Sequence, residues 1–220
     1  MAVDCLVFGY DTEQEQLCVL LFKRRIAPFE GRWSLVGSLV DEGQSLDSTA
    51  RDTLRKYTGL TDVYLDQLKA FGEVNRDPGG RVVSVLYWSL MQLEPTQKEL
   101  VKRHEAQWFP VEELPNMIMD HEEMVKTGLS TLKEKARRTP LGFELLPRLF
   151  TLPTLRRLYE AIYQQPLDDR NFRKKILATG LCERLDKKDK TSSKKGAFLY
   201  QFNESKYQQL SETGWIMNLL

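Results

Sequence analysis

The chain has 220 residues, enough for one or two domains at about 100–200 residues each. A hydrophobic content of 41% with 29% charge excludes a disordered chain, and no apolar run approaches the roughly 18 residues needed to cross a bilayer. The net charge of +1 hides an asymmetry: residues 1–140 sum to −4 and residues 141–220 to +5, with ten basic against three acidic residues between 170 and 195. A basic patch in one half of a chain points to an anionic partner, nucleic acid first.

Cys5, Cys18 and Cys182 are few, odd in number and widely spaced. They read as free thiols in a reducing cytosol, not as a disulfide or zinc framework. The start, MAVDCLVFGYD, lacks the basic segment and cleavage site of a secretory signal, so the cytoplasm is the expected compartment.

Residues 3–10 and 17–23 are apolar, β-branched-rich runs around the polar turn 11–16, the pattern of a hairpin. Residues 37–60 read GSLVDEGQSLDSTARDTLRKYTGL. Ser45 is placed to cap a helix, Leu46, Ala50 and Leu54 repeat at i, i+4 and i+8, and Gly59 follows the helix end. Residues 63–71 and 82–93 are strand-like, with a turn over 75–80 between them. The segment QWFPVEEL spans 107–114. A further helix starts after Asp120, with Glu123 three residues on as a capping box, and runs to about Arg138. Thr139-Pro140 then breaks it, which sets the expected domains at 1–138 and 139–220.

In the second domain Thr151 caps a helix to about Gln164, with Leu155, Leu158, Tyr159 and Ile162 on one face. Asp168 caps a second helix to about Thr179, with Leu167 and Phe172 as a hydrophobic staple and Phe172, Ile176 and Leu177 facing inward. A hairpin of 181–185 and 197–202 follows, joined by a lysine-rich tip. Two helices, a tight turn and a basic ribbon describe a winged helix-turn-helix. Its second helix would enter the major groove of double-stranded operator DNA. Arg170 and Asn171 are then in reach of base edges, since arginine forks onto guanine and asparagine onto adenine. Arg173, Lys174 and Lys175 would touch phosphates, which position without reading sequence. Lys187, Lys188, Lys190, Lys194 and Lys195 make the wing basic. The tail 207–220, with Trp215, Ile216, Met217, Leu219 and Leu220, is expected to pack on a domain or a partner subunit. His104 and His121 are isolated and expected on the surface.

The stretch 37–60 resembles the Nudix box, G-x5-E-x7-R-E-U-x-E-E-x-G-U with U aliphatic. The first glutamate of that pattern falls on Gln44, the R-E pair on Asp52 and Thr53, and the E-E pair on Lys56 and Tyr57. Positions 53, 56 and 57 share a helix face. Magnesium wants anionic oxygens in tight octahedral geometry, and these side chains supply none. Asp41, Glu42, Asp47 and Asp52 remain nearby at other spacings, as acids suited to a solvated helix start. The expectation is a fold that binds without cleaving: no metal, no cofactor, no enzyme. The competing reading is a Nudix hydrolase of nucleoside diphosphate derivatives using displaced carboxylates.

A degenerate Nudix domain followed by a winged helix resembles the Nudix-related transcriptional regulators over nearly the whole chain. The resemblance is carried by NRDPGGR at 75–81 with 82–87, by LGFELLP at 141–147 with FTLP at 150–153, and by RNFRKK at 170–175 with Leu199-Tyr200. It implies an α/β Nudix fold, a mixed sheet sandwiched by helices, and a homodimer on a palindromic operator released by a small effector. One branch of that family senses ADP-ribose and another L-arabinose. Overall similarity across 141–175 leans to the arabinose branch, so a pentose is the expected effector and ADP-ribose the alternative. A ligand lying against the sheet under the box loop makes Asp4, Lys23, Trp33, Ser38, Asp77, Ser84 and Tyr87 the candidate contacts. Asp, Lys and Ser pair with hydroxyls, and an aromatic face suits a sugar ring.

Overall fold

The computed structural model of the chain describes residues 1–61, 63–190 and 196–217. Two compact units divide it, Met1–Leu129 and Ser130–Leu220.

The first unit is built on a seven-stranded mixed sheet. Its elements in chain order are β1 (Ala2–Asp11), β2 (Gln16–Lys23), β3 (Trp33–Ser34), β4 (Val36–Leu39), α1 (Leu46–Thr58), β5 (Asp66–Phe71), β6 (Ser84–Gln92), α2 (Pro95–Arg103), β7 (Ala106–Pro110) and α3 (His121–Arg138). The expected hairpin is β1–β2, paired antiparallel from Phe8 opposite Val19 to Asp11 opposite Gln16. β1 lies at the centre, parallel to β6 on one edge and antiparallel to β2 and β4 on the other. It is buried on both faces, as its apolar residues require, with Asp4 as a charged residue inside the run. Val3, Cys5 and Val7 join Leu20, Phe22 and Val36 in a core with Ala50 and Leu54 of α1. Leu6 and Phe8 turn the other way, to α3, where Gly128 admits the strand: a Cβ there would overlap Leu6.

Local signals set the ends of α1. Ser45 accepts from Ser48 N, and Gly59 closes the helix in the left-handed region at φ 76°. The strand expected from residue 63 begins only at Asp66, and the one expected from 82 begins at Ser84. β3, β4 and α2 were not anticipated. α2 carries Pro95 in its first turn, and Gln97 accepts from Glu94 N. The helix expected to run to 138 does so as α3, and the two units part within it.

The second unit holds β8 (Phe150–Thr151), α4 (Leu152–Tyr163), α5 (Asp169–Ala178), β9 (Cys182–Asp189), β10 (Ala197–Phe202) and α6 (Glu204–Glu212). Thr151 and Asp168 cap α4 and α5 through Thr154 N and Asn171 N. Leu155, Leu158, Tyr159, Ile162, Phe172 and Ile176 are buried as one core. Leu177, expected inside, is 44% exposed. Phe172 and Ile176 are four residues apart and share a face, while Leu177 is rotated about 100° from Ile176. A third strand joins the wing, since β8 pairs with β10. β9 runs to Asp189, well past the expected end at 185. Arg184 and Lys188 on one face of it lie over the Phe198 ring at 4.5 and 4.6 Å, so long basic side chains pack as strand residues there. Much of the tail is α6, capped by Asn203. Met217 is fully buried in this unit, its N–H bonded to Arg138 O. Among the described residues no helix is long and apolar enough to cross a membrane.

Candidate functional site

A cavity of about 720 Å³ opens at the end of the sheet of the first unit, between the start of β1, β4, α1 and the loop before β6. Its floor is polar and buried. Asp4, 6% exposed, faces Gly37 and Leu86 in the β-register. A Cβ at position 37 would overlap the Asp4 carboxylate, so glycine is required beside it. Ser84 Oγ, fully buried, donates to Asp4 Oδ2 at 2.6 Å. Arg76, from the connection between β5 and β6, donates from Nε and Nη2 to the two oxygens of Asp120 at 2.8 and 2.7 Å. Its Nη2 also lies 3.8 Å from Asp4 Oδ2. Burial opposes the charge on Arg76, but the bonds and charge of Asp120, with Asp4 behind, raise its pKa and hold it protonated.

His121 is the main departure from expectation. It is 3% exposed, not a surface residue. Its Nδ1 accepts from Leu35 N at 2.9 Å, which puts the ring proton on Nε2, and Nε2 lies 3.8 Å from Asp4 Oδ1. Burial pushes its pKa down; Asp4 and Asp120 oppose that shift, and Arg76 and Arg24 add to it. The unfolded chain therefore takes up a proton below about pH 6.5 that the folded ring refuses. This contribution to stability is complete above that pH and is lost as the pH falls toward the lowered folded value. The urea midpoint is expected to drop between pH 7 and 5.5, by less in His121→Asn than in the wild type. Equal drops in both would rule out His121 as the titrating group. His104, also expected outside, is half-buried with Nδ1 3.0 Å from Leu100 O.

The box positions carry a different chemistry from the family pattern. Counting back from Gly59, the first glycine of the pattern falls on Ser38, and its hydroxyl is 2.7 Å from that of Thr53, where the pattern has glutamate. Gln44 accepts from Thr49 Oγ1 at 3.3 Å. Lys56 Nζ stands 5.3 Å from the ring centre of Tyr57. Hydroxyls, an ammonium and a phenol do not fit the magnesium ion the Nudix fold implies. Among the described residues no three His, Cys, Asp or Glu side chains gather as a metal site.

The seven candidate contacts separate. Asp4, Ser38 and Asp77 line the cavity, and Ser84 lies directly behind Asp4. Lys23 and Trp33 line a different recess, of about 550 Å³, with Lys23 Nζ 5.1 Å from the indole centre. Tyr87 is buried in the core against α1, its hydroxyl donating to Asp47 and accepting from Gln67, and burial pushes it up to about 12. Period-two counting separates these positions: Ser84 shares a face with Leu86, and Tyr87 points the opposite way. Arg76, inside the NRDPGGR segment, and His121, which no local pattern marks, complete the cavity floor. A larger cavity, about 830 Å³, lies in the second unit; of its charged lining residues Glu134, Arg138, Glu144 and Glu204 are exposed and Lys135 is half-buried.

In the second unit Arg170, Asn171, Arg173 and Lys174 are exposed along α5, and Lys175 is half-buried. Arg173 Nε is 3.1 Å from Asp169 Oδ2, which fixes its stem on the helix surface. Lys187 and Lys188 lie on β9, and Lys190 follows it. Lys194 and Lys195 lie outside the described residues.

Residues 1–128 match the NUDIX domain family, and residues 142–202 match the NrtR DNA-binding winged helix domain. A protein of Acinetobacter baylyi, described as an ADPR responsive transcriptional repressor, is 33% identical over 206 residues, 92% of this chain and 81% of that one. The crystal structure of Shewanella oneidensis NrtR complexed with a 27mer DNA is similar with a TM-score of 0.74 and 26% identity, over 99% of this chain and 97% of that one. The NUDIX domain of the same Shewanella protein complexed with ADP ribose matches 60% of this chain and 86% of its own, with a TM-score of 0.51 and 32% identity. With a Nudix fold over more than half its length and a basic winged helix of the NrtR type behind it, this chain belongs to the NrtR family of Nudix-related, DNA-binding transcriptional regulators.

Proposed function

We propose that the chain is a cytoplasmic transcriptional repressor that binds operator DNA as a homodimer through α5 and its wing and is controlled by ADP-ribose held in the cavity of the first unit. The observation that carries this is the cavity itself. It is lined by the box residues Ser38, Gln44, Thr53, Lys56 and Tyr57 and has a polar floor, and Thr53, Lys56 and Tyr57 stand where the box pattern has metal-binding glutamates. Such a site binds an anionic nucleotide sugar and leaves it intact. Lys56 and Arg24 on the cavity wall suit a pyrophosphate, and Asp4, Ser38 and Asp77 suit ribose hydroxyls.

ADP-ribose is preferred over L-arabinose, the effector that overall similarity first suggested. The Acinetobacter relative is described as ADPR responsive and the Shewanella NUDIX domain is complexed with ADP ribose, and a cavity of about 720 Å³ is of the size that holds drug-sized ligands. A pentose would leave most of it to water.

Fluorescence anisotropy on DNA from the upstream region of its own gene tests the reading. Salt-sensitive, sequence-selective binding is expected. ADP-ribose should weaken it by about 5–150-fold, the usual range of coupling between two sites, and arabinose should leave it unchanged. ADP-ribose incubated with the protein and magnesium should release no AMP. The reading fails if no promoter fragment is bound selectively, if ADP-ribose has no effect on the complex, or if turnover is robust.

A further inference from the structure

Two buried side chains, Asp4 and His121, line the cavity floor with a polar atom of each close together but not in contact. Asp4 Oδ1 and His121 Nε2 are 3.8 Å apart, beyond hydrogen-bond distance. Among the described residues neither atom has another hydrogen bond, although both side chains are more than nine-tenths buried. Their partners on the protein side are already fixed. Ser84 occupies Asp4 Oδ2, and Leu35 N–H occupies His121 Nδ1. That leaves one acceptor and one N–H donor 3.8 Å apart on the cavity lining, close enough for one ligand atom to reach both.

We propose that Asp4 and His121 form a hydroxyl-reading subsite, in which one sugar hydroxyl of the effector donates to Asp4 Oδ1 while accepting from His121 Nε2–H. A hydroxyl is the group that fits, because it is donor and acceptor at one atom. A carbonyl or phosphate oxygen would satisfy His121 but meet the carboxylate as a second acceptor. An ammonium would satisfy Asp4 but meet the N–H as a second donor. The tautomer is set from outside the subsite, by the backbone of Leu35 at the end of β3, so the donor is in place before ligand arrives. Arg76 keeps Asp120 occupied and braces the other oxygen of Asp4 at 3.8 Å, so the carboxylate stays pointed at the cavity. The subsite rests on the reading of ADP-ribose as effector and deepens it, by making the pocket select for a free hydroxyl on the ribose.

His121→Asn separates the two nitrogens. The amide oxygen can keep accepting from Leu35 N–H, while the donor at the cavity side is removed. Calorimetry on the full chain should show ADP-ribose bound about 10–100-fold more weakly than by the wild type, with DNA affinity and thermal midpoint unchanged. Deoxy analogues of ADP-ribose, each lacking one ribose hydroxyl, locate the contact. One analogue should bind the wild type as weakly as ADP-ribose binds the variant, and should lose nothing further on the variant. Asp4→Asn, which preserves shape and an acceptor for Ser84, should show the same pattern, and serves if the histidine variant does not fold. The subsite is overturned if the variants bind ADP-ribose like the wild type, or if every deoxy analogue loses as much on the variants as on the wild type. If the wild type itself does not bind ADP-ribose, the effector reading falls and takes the subsite with it.

Discussion

Arg76→Ala is expected to cost about 3–5 kcal/mol of folding stability, because it leaves two carboxylates without their counter-charge beneath the cavity. The Arg76 side chain is 3% exposed, Asp4 is 9% and Asp120 is 17%, so water cannot replace the guanidinium. The arginine bridges the loop before β6 to the residue that opens α3, and both of its bonds to Asp120 are short. Arg76→Lys keeps the charge but loses the fork, and an intermediate loss is expected. Urea unfolding followed by tryptophan fluorescence reads this change, since Trp33, Trp88 and Trp108 all lie in the first unit. A loss below 1 kcal/mol for the alanine variant would mean that the clasp is solvated and holds nothing.

The double variant Arg170→Ala, Asn171→Ala is expected to abolish operator selectivity without altering stability. Both side chains are exposed, and the cap of α5 uses only the backbone N–H of Asn171, which alanine keeps. A bidentate base contact discriminates by about 1–3 kcal/mol, so losing two should bring the operator within reach of nonspecific DNA. Lys174→Ala, Lys175→Ala should behave differently. Affinity should fall alike for operator and random sequence, and the slope of log affinity against log salt should become shallower by about one per lysine. Selectivity that survives the first variant would move the reading residues off the start of α5.

Much of the architecture was written locally. The β1–β2 hairpin, the Ser45 and Gly59 ends of α1, and the Thr151 and Asp168 caps of α4 and α5 all follow from residues within a few positions of one another. Leu177 shows the limit of a local signal. Its apolar character suggested burial, but the face of a helix is set by what it packs against. Short strands such as β3, β4 and β8 carried no readable period, because two to four residues are too few to establish an alternation. α2 does carry a local signal, Pro95 in the first turn with Gln97 behind it.

The sequence by itself determined the class of the molecule and what its box lacks. A missing carboxylate is a property of residue type, and no folding restores it at positions 53, 56 and 57. Only the tertiary structure decided the cavity floor. It brought together Asp4, Ser84 and Arg76 from one end of the sheet, with Asp120 and His121 from the start of α3. Those contacts span tens of residues along the chain, and Leu35 N to His121 spans 86. A lone histidine has no periodicity or spacing to announce it. Its burial, its tautomer and its lowered pKa come from groups that reach it only once the sheet and helix have packed.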